Sequence, residues 1–99
     1  MEKNLSIVKE NFKELPNNIE AEQSVIGSIL VINEIFDEIN TIVSNVNFYD
    51  PMHQKIFNAI ESMIYKGLLA NPITLKNYFE NEKDEINIPE YLVKITKFS

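Results

Sequence analysis

Residues 50–67 read DPMHQKIFNAIESMIYKG. Asp50 followed by Pro51 is typical of a helix start, because an aspartate accepts a hydrogen bond from a free N–H there and proline suits the first helical position. Gly67 is the residue type that ends helices in the left-handed conformation. Between these ends, apolar side chains recur every three or four residues, as one buried helix face requires: Met52, Ile56, Phe57, Ile60, Met63 and Ile64. The segment therefore predicts a long amphipathic helix at the centre of the fold.

The same helical spacing continues towards the N-terminus and predicts a helix over about residues 18–32. Asn17 and Glu20 have the spacing of a capping box at its start, and the small Gly27 allows another helix to approach closely. Asn33 is predicted to cap a second helix that ends near residues 44–45. The following loop carries three side chains that can fill the core: Val46, Phe48 and Tyr49.

On the C-terminal side, Thr74 is a candidate N-cap for a fourth helix, with Leu75, Tyr78 and Phe79 on its inner face. Residues 80–87 are polar and predict a solvated helix end and loop, after which Pro89 opens a last short helix. No stretch alternates as a strand does. The chain is therefore predicted to be all-α, a small orthogonal bundle of about five to six short helices.

Residues 1–15 form a lead-in, and residues 16–99 form the predicted globular domain. Leucine, valine and phenylalanine recur at helical spacing in the lead-in, but a helix of about 12 residues is marginal alone in water. Two interpretations stay open. The lead-in is either a flexible, frayed tail or a weakly helical segment docked on the core or on a second copy.

Composition excludes several classes of site. The chain has 99 residues, no cysteine and only two glycines, Gly27 and Gly67. Without cysteine there are no disulfides, thiolate metal sites or thiol nucleophiles. Loops that bind nucleotide phosphates need clustered glycines, so neither common nucleotide-binding loop can form in this chain. We therefore expect no cofactor and no metal here.

The charge balance argues against nucleic-acid binding. The formal net charge is −6, and all nine cationic residues are lysine. Affinity for nucleic acid depends on neutralising phosphates, and arginine makes the commonest base contacts. No apolar run has the length of an export signal or a membrane span. We therefore expect a cytoplasmic protein that binds neither nucleic acid nor a membrane.

His53 is the only histidine, and Asp50 lies three residues before it. A histidine oriented by a carboxylate can act as a general base. However, no serine or second histidine lies at a helical spacing that would complete a site, so His53 is interpreted as a structural residue. The acidic clusters are interpreted as solvated faces and partners of helix N-termini: Glu20/Glu22, Glu34/Asp37/Glu38 and Glu80/Glu82/Asp84/Glu85. The residues alone thus favour protein assembly over catalysis.

Two blocks of the sequence carry a family resemblance. Residues 15–27 read LPNNIEAEQSVIG, and residues 48–57 read FYDPMHQKIF. Together, and at this separation, they resemble the N-terminal domain of the replicative DNA helicase family of the DnaB type. Thr74-Leu75 after a glycine-marked loop and Tyr91-Leu92 near the end are weaker matches. The resemblance covers roughly residues 15–97.

The chain departs from the family pattern at two places. The family usually has a Gly-Gly pair before the Tyr-Leu segment, where this chain has Ile88-Pro89-Glu90, and an acidic residue where this chain has Asn71. These departures concern the geometry of the last loop and its partner contacts rather than the fold.

The resemblance implies a function for the domain. Full-length members are ring hexamers that hydrolyse ATP and unwind DNA at the replication fork. Their N-terminal domains form a collar, pair as dimers and help to recruit primase. Members continue with a helical hairpin, a linker and a RecA-like motor, which are absent from these 99 residues. The chain would thus be a non-catalytic module whose partners are the other helicase subunits and primase. ATP and magnesium would bind to the motor domain.

The resemblance also guides the choice of functional residues. Tyr91 is predicted to contact a partner, because it matches the family's Tyr-Leu segment; the alternative is simple core packing. Without the hairpin, we expect a monomer or weak dimer. The other residues singled out are structural: Asn17, Glu20, Gly27, Asp50, Pro51, His53, Phe57, Gly67 and Thr74.

Two other functions stay open from the sequence. One is a stand-alone adaptor or inhibitor that mimics the helicase collar. The other is a small metal-dependent hydrolase that uses the acidic clusters. The hydrolase requires that a metal stabilise the fold, so melting temperatures measured with and without magnesium, manganese or zinc would test it.

Overall fold

The computed structural model describes residues 18–80 and 87–97. Within them the chain forms five α-helices and no strand. The helices are α1 (Ile19–Val31), α2 (Phe36–Asn40), α3 (Pro51–Tyr65), α4 (Pro72–Tyr78) and α5 (Ile88–Thr96). This confirms the predicted small all-α bundle. The predicted lead-in over residues 1–15 and most of the loop over residues 80–87 lie outside the described residues.

The central helix α3 begins and ends where its sequence predicts. Asp50 caps its start by accepting a hydrogen bond from the N–H of Met52 at 2.8 Å, and Pro51 is the first helical residue. At the other end Gly67 has a φ of +76°, which suits glycine. The N–H of Leu68 donates to the Met63 carbonyl at 2.9 Å, and that of Gly67 to the Ile64 carbonyl at 3.0 Å. This pair of bonds is a Schellman motif, which satisfies carbonyls that the helix end leaves free.

The apolar face of α3 lies at the centre of the core. The ring of Phe57 is 5.5 Å from that of Phe36 and 5.0 Å from that of Phe48, measured between centroids. Helix α1 packs against α3 and α5, and its Gly27 is buried. The largest fully buried apolar side chains come from the helices and the loop before α3: Phe36, Phe48, Phe57, Ile26, Ile29, Ile39, Ile56, Ile60, Leu75, Ile88 and Leu92.

Two predicted core residues of the loop before α3 are exposed. Phe48 is buried as predicted, but Val46 and Tyr49 are 75% and 61% exposed. The loop forms a short 3-10 turn over Asn45–Asn47, and only Phe48 enters the core. The aromatic ring of Tyr78 on α4 is also about half exposed, although its spacing predicts an inner position.

Asparagine side chains cap the starts of α1 and α4. Helix α1 is capped by Asn18, whose side-chain oxygen accepts from the N–H of Ala21 at 2.9 Å, while Asn17 lies outside the described residues. Helix α4 is capped by Asn71 rather than Thr74. Because Pro72 suits the first helical position, the extended residue before it becomes the cap. Thr74 lies one turn in, and its hydroxyl accepts from the N–H of Asn71 at 2.9 Å.

Asn33 does not cap α2. It belongs to a 3-10 turn over Asn33–Ile35, and α2 ends at Asn40, short of the predicted residues 44–45. Its side-chain amide instead donates to the carbonyls of Ile29 (2.8 Å) and Ala70 (2.9 Å) and accepts from the N–H of Ala70 (2.8 Å). Asn33 thereby ties the end of α1 to the loop between α3 and α4.

Replacing the α3 cap should weaken the fold measurably. We expect Asp50→Ala to lower the free energy of unfolding by about 0.5–2 kcal/mol, because the Met52 N–H loses its acceptor. Asp50→Asn keeps an acceptor and should stay close to the parent chain. Urea denaturation followed by circular dichroism measures both. An equal loss in the two variants would show that the negative charge of Asp50, rather than its capping bond, matters.

Candidate functional site

A buried chain of polar side chains joins three helices. His53 of α3 is fully buried; its Nδ1 is 2.7 Å from Oε1 of Glu22 on α1, and its Nε2 is 2.5 Å from the hydroxyl of Tyr91 on α5. The rings of His53 and Tyr91 also stack, with centroids 5.7 Å apart. We call Glu22, His53 and Tyr91 the polar triad. It lies where α1, the start of α3 and α5 meet.

Glu22 accepts from backbone as well as from His53. Its Oε2 accepts from the N–H of Tyr49 at 2.6 Å, and its Oε1 accepts from the N–H of Asp50 at 3.3 Å. Although it is a glutamate, only 1% of its surface is exposed. Burying a carboxylate is costly unless donors replace water, and here three donors do so. Glu22 thus holds the chain entering α3 against α1.

The bonding pattern gives each group a defined role. An ionised carboxylate only accepts, so Nδ1 of His53 donates to Glu22. In the neutral ring Nε2 then accepts from the Tyr91 hydroxyl, whose oxygen accepts from Nε2 of Gln23 at 3.0 Å. Among the described residues, no buried side-chain nitrogen or oxygen lacks a hydrogen-bond partner. The polar triad is therefore a satisfied network, which fixes the helices relative to one another.

Tyr91 is a weak candidate for a nucleophile. Burial raises the pKa of its phenol; the Gln23 hydrogen bond opposes that rise, and the negative charges of Asp50 and Glu22 add to it. A phenol with a raised pKa stays protonated at neutral pH, and a protonated phenol attacks poorly. The chemistry of the polar triad thus favours a structural role.

The structure corrects part of the interpretation of His53. A structural role agrees with the bonds at both ring nitrogens, but the carboxylate that binds it is Glu22 rather than Asp50. Glu22 is also not the solvated acidic residue that the sequence predicts. Glu20, two residues earlier, is exposed. Glu22 and Gln23 are the residues that sequence reasoning missed.

Tyr91 remains predicted as a partner contact. The structure has it partly buried, with its hydroxyl bonded inward to His53 and Gln23. A partner would therefore meet its ring rather than a free hydroxyl.

The acidic residues of α2 and its preceding turn, Glu34, Asp37 and Glu38, are exposed. In the described part of the chain, no group of three or more histidine, aspartate or glutamate side chains could hold a metal ion. None of the described helices is long and apolar enough to cross a membrane.

Between α4 and α5 lies an open, largely apolar groove of about 380 Å³, lined by Pro72, Ile73, Lys76, Pro89, Glu90 and Val93.

Known proteins resemble this chain over most of its length. The family model described as "DnaB-like helicase N terminal domain" matches residues 14–99. The replicative DNA helicase DnaB of Rickettsia typhi is 42% identical over 87 residues, which cover 86% of this chain and 18% of that protein. The protein of the same name from Buchnera aphidicola subsp. Baizongia pistaciae is 35% identical over 97 residues, covering 96% of this chain and 21% of that protein.

A more distant relative of the same name, from Pasteurella multocida, is 32% identical over 87 residues, which cover 83% of this chain and 18% of that protein. The chain therefore spans about a fifth of the length of the curated relatives it matches. No solved structure matches it.

Proposed function

This chain belongs to the family of DnaB-like helicase N-terminal domains, and from that membership we propose that it is the collar domain of a replicative DNA helicase. In this role it contributes no catalysis. It arranges subunits in the ring and offers a surface for recruiting primase. The proposal assigns the binding of ATP, magnesium and DNA to a motor domain outside these 99 residues, and it places the whole protein in the cytoplasm.

The match of the family model over residues 14–99 is the observation that carries this proposal. The chemistry of the structure supports it. The polar triad is satisfied and holds α1, α3 and α5 together, as a domain with a geometric role requires. The net charge of −6 also favours protein partners over nucleic acid.

The reading frame beyond the Ser99 codon is the first test. The collar role requires that the frame continue into an ATPase domain containing G-x-x-x-x-G-K-[ST] after a strand. A stop codon directly after Ser99 would contradict the helicase role and favour the stand-alone adaptor or inhibitor. In that case, adding the chain to an assembled helicase should slow DNA unwinding.

Primase binding tests the recruitment role through Tyr91. We expect primase from the same organism to bind the chain, as measured by titration calorimetry, and Tyr91→Ala to weaken that binding about tenfold, as truncation of an aromatic anchor does. Tyr91→Phe keeps the ring and should bind like the parent chain, although it loses the hydroxyl bonded to His53 and Gln23.

The matched control is Tyr78→Ala, which removes an exposed aromatic ring from α4. Its primase binding should be unchanged. A parent chain that does not bind primase would contradict the recruitment role, and equal losses in Tyr78→Ala and Tyr91→Ala would contradict the choice of Tyr91. The same domain without its hairpin should sediment as a monomer or weak dimer.

A further inference from the structure

An exposed apolar surface lies at the end of the bundle remote from the polar triad. It is formed by Val31 and Ile32 at the end of α1 and by Leu68 and Leu69 just after α3, and we call these four residues the apolar patch. Their side chains are 54%, 40%, 53% and 61% exposed, in that order. Single exposed apolar side chains are ordinary, but an adjoining group of them commonly marks an interaction site.

The two halves of the apolar patch are held together by Asn33. Its amide exchanges two hydrogen bonds with the backbone of Ala70, at 2.8 and 2.9 Å. Ile32 precedes Asn33 and Leu69 precedes Ala70, so these bonds bring the two backbone segments that carry the apolar pairs close together. The Schellman motif at Gly67 fixes the backbone of Leu68 in addition. The surface is therefore built on fixed backbone and is available without rearrangement.

Acidic side chains lie close to the apolar patch along the chain, and we call them its acidic border. Glu34 follows it directly, and Asp37 and Glu38 lie one turn further along, all three exposed. Tyr65, 67% exposed, connects α2 to the end of α3: its hydroxyl accepts from the Asn40 amide at 3.3 Å, and its ring lies 6.3 Å from that of Phe36. The exposed cation beside the leucines is Lys66. Within six residues of the apolar patch along the chain there are thus three carboxylates and one ammonium, a negative balance.

We propose that the apolar patch binds a segment of another protein that presents apolar side chains bordered by lysine or arginine. The charge of the border selects that chemistry, since opposite charges steer and orient association. A second copy of this chain is disfavoured as the occupant, because each copy carries a net charge of −6 and the same acidic border.

This surface is separate from the one proposed for primase. Gln23, which contacts Tyr91, lies eight residues before Val31 on α1, roughly 12 Å along the helix axis. His53 lies near the start of α3, whereas Leu68 follows its end. A partner can therefore bind to the apolar patch whether or not primase binds at Tyr91, and the two proposals are tested separately.

The probe is a synthetic helical peptide of about 18 residues, with leucines along one face and lysines on both sides of them. A counterpart carries glutamate at every lysine position. We expect the lysine peptide to bind the full chain in a fluorescence anisotropy titration, more weakly as salt rises. The glutamate peptide should bind at least about tenfold more weakly, because its charges repel the acidic border.

The double variant Leu68→Ser, Leu69→Ser separates apolar contact from charge attraction. It keeps every charged residue and should bind the lysine peptide about tenfold more weakly. Val46→Ser is the matched control, since it removes an exposed apolar side chain before the start of α3, at the opposite end of that helix. It should bind like the parent chain. Circular dichroism checks that both variants are folded.

Two results would overturn the proposal. If the leucine variant binds the lysine peptide as well as the parent chain, the attraction is one of charge alone. If the parent chain sediments as a dimer and the leucine variant as a monomer, the occupant is a second copy.

Discussion

Glu22→Ala should lower the free energy of unfolding by about 3–5 kcal/mol, as loss of one partner from a buried ionic or hydrogen-bonded network does. The variant leaves Nδ1 of the fully buried His53 without its acceptor, and the N–H groups of Tyr49 and Asp50 lose theirs as well. Since small domains are stable by only about 5–15 kcal/mol, Glu22→Ala should be among the most damaging single changes.

Glu20→Ala is the matched control for Glu22→Ala. Both variants remove a glutamate from the first turn of α1, and so both lose the same favourable interaction with the helix N-terminus. Glu20 is exposed, so only a few tenths of a kcal/mol should be lost there. Urea denaturation of the two variants therefore measures the contribution of the polar triad. Equal losses would mean that the network contributes nothing beyond a surface charge.

Helix ends were predictable where the local signals were unambiguous. Asp50, Pro51 and Gly67 lie at the two ends of one apolar stripe, and no neighbouring residue competes with them for either role. At the start of α4, two residues of capping type lie three positions apart, and the prediction selected the wrong one. Asn71 rather than Thr74 caps α4, because the proline after Asn71 fixes where the helix begins.

The polar triad could not be assembled from the sequence, because its members are far apart along the chain. His53 lies 31 residues after Glu22 and 38 before Tyr91. One signal was present: Glu22 lies three residues after Ile19 and four before Ile26, within the apolar spacing of α1. Glutamate is rarely buried, so that spacing alone favours a surface position. Only the packing of α1 on α3 shows that His53 lies within hydrogen-bond distance of the Glu22 carboxylate.

The role of Asn33 also depends on a contact that is distant along the chain. An asparagine after an apolar run is a good N-cap candidate, and nothing nearby in the sequence contradicts it. In the structure its amide instead bonds to Ala70, 37 residues away. A side chain with two donors and an acceptor can satisfy backbone groups of two segments at once, and tertiary packing decides which ones it meets. The apolar patch depends on the contact between Asn33 and Ala70 and therefore could not be predicted from the sequence.

Phe57→Ala should lower the free energy of unfolding by about 3–5 kcal/mol, the usual cost of truncating a buried phenylalanine. Only 1% of the Phe57 side chain is exposed, and its ring packs between those of Phe36 and Phe48. The truncation leaves a cavity where α2, α3 and the loop before α3 meet. Phe36 and Phe48 belong to separate segments, so closing that cavity requires both to move.

Two further variants distinguish the cavity from the mere loss of an aromatic ring. Tyr49→Ala removes an exposed ring beside Phe48 and should change the stability by no more than about 0.5 kcal/mol. Phe57→Leu fills most of the space and should lose less than about 1.5 kcal/mol. Thermal melting and urea denaturation measure all three variants. A Phe57→Ala variant as stable as Tyr49→Ala would mean that the apolar face of α3 does not form the core. Because α3 also holds His53, that result would undermine the polar triad together with the packing.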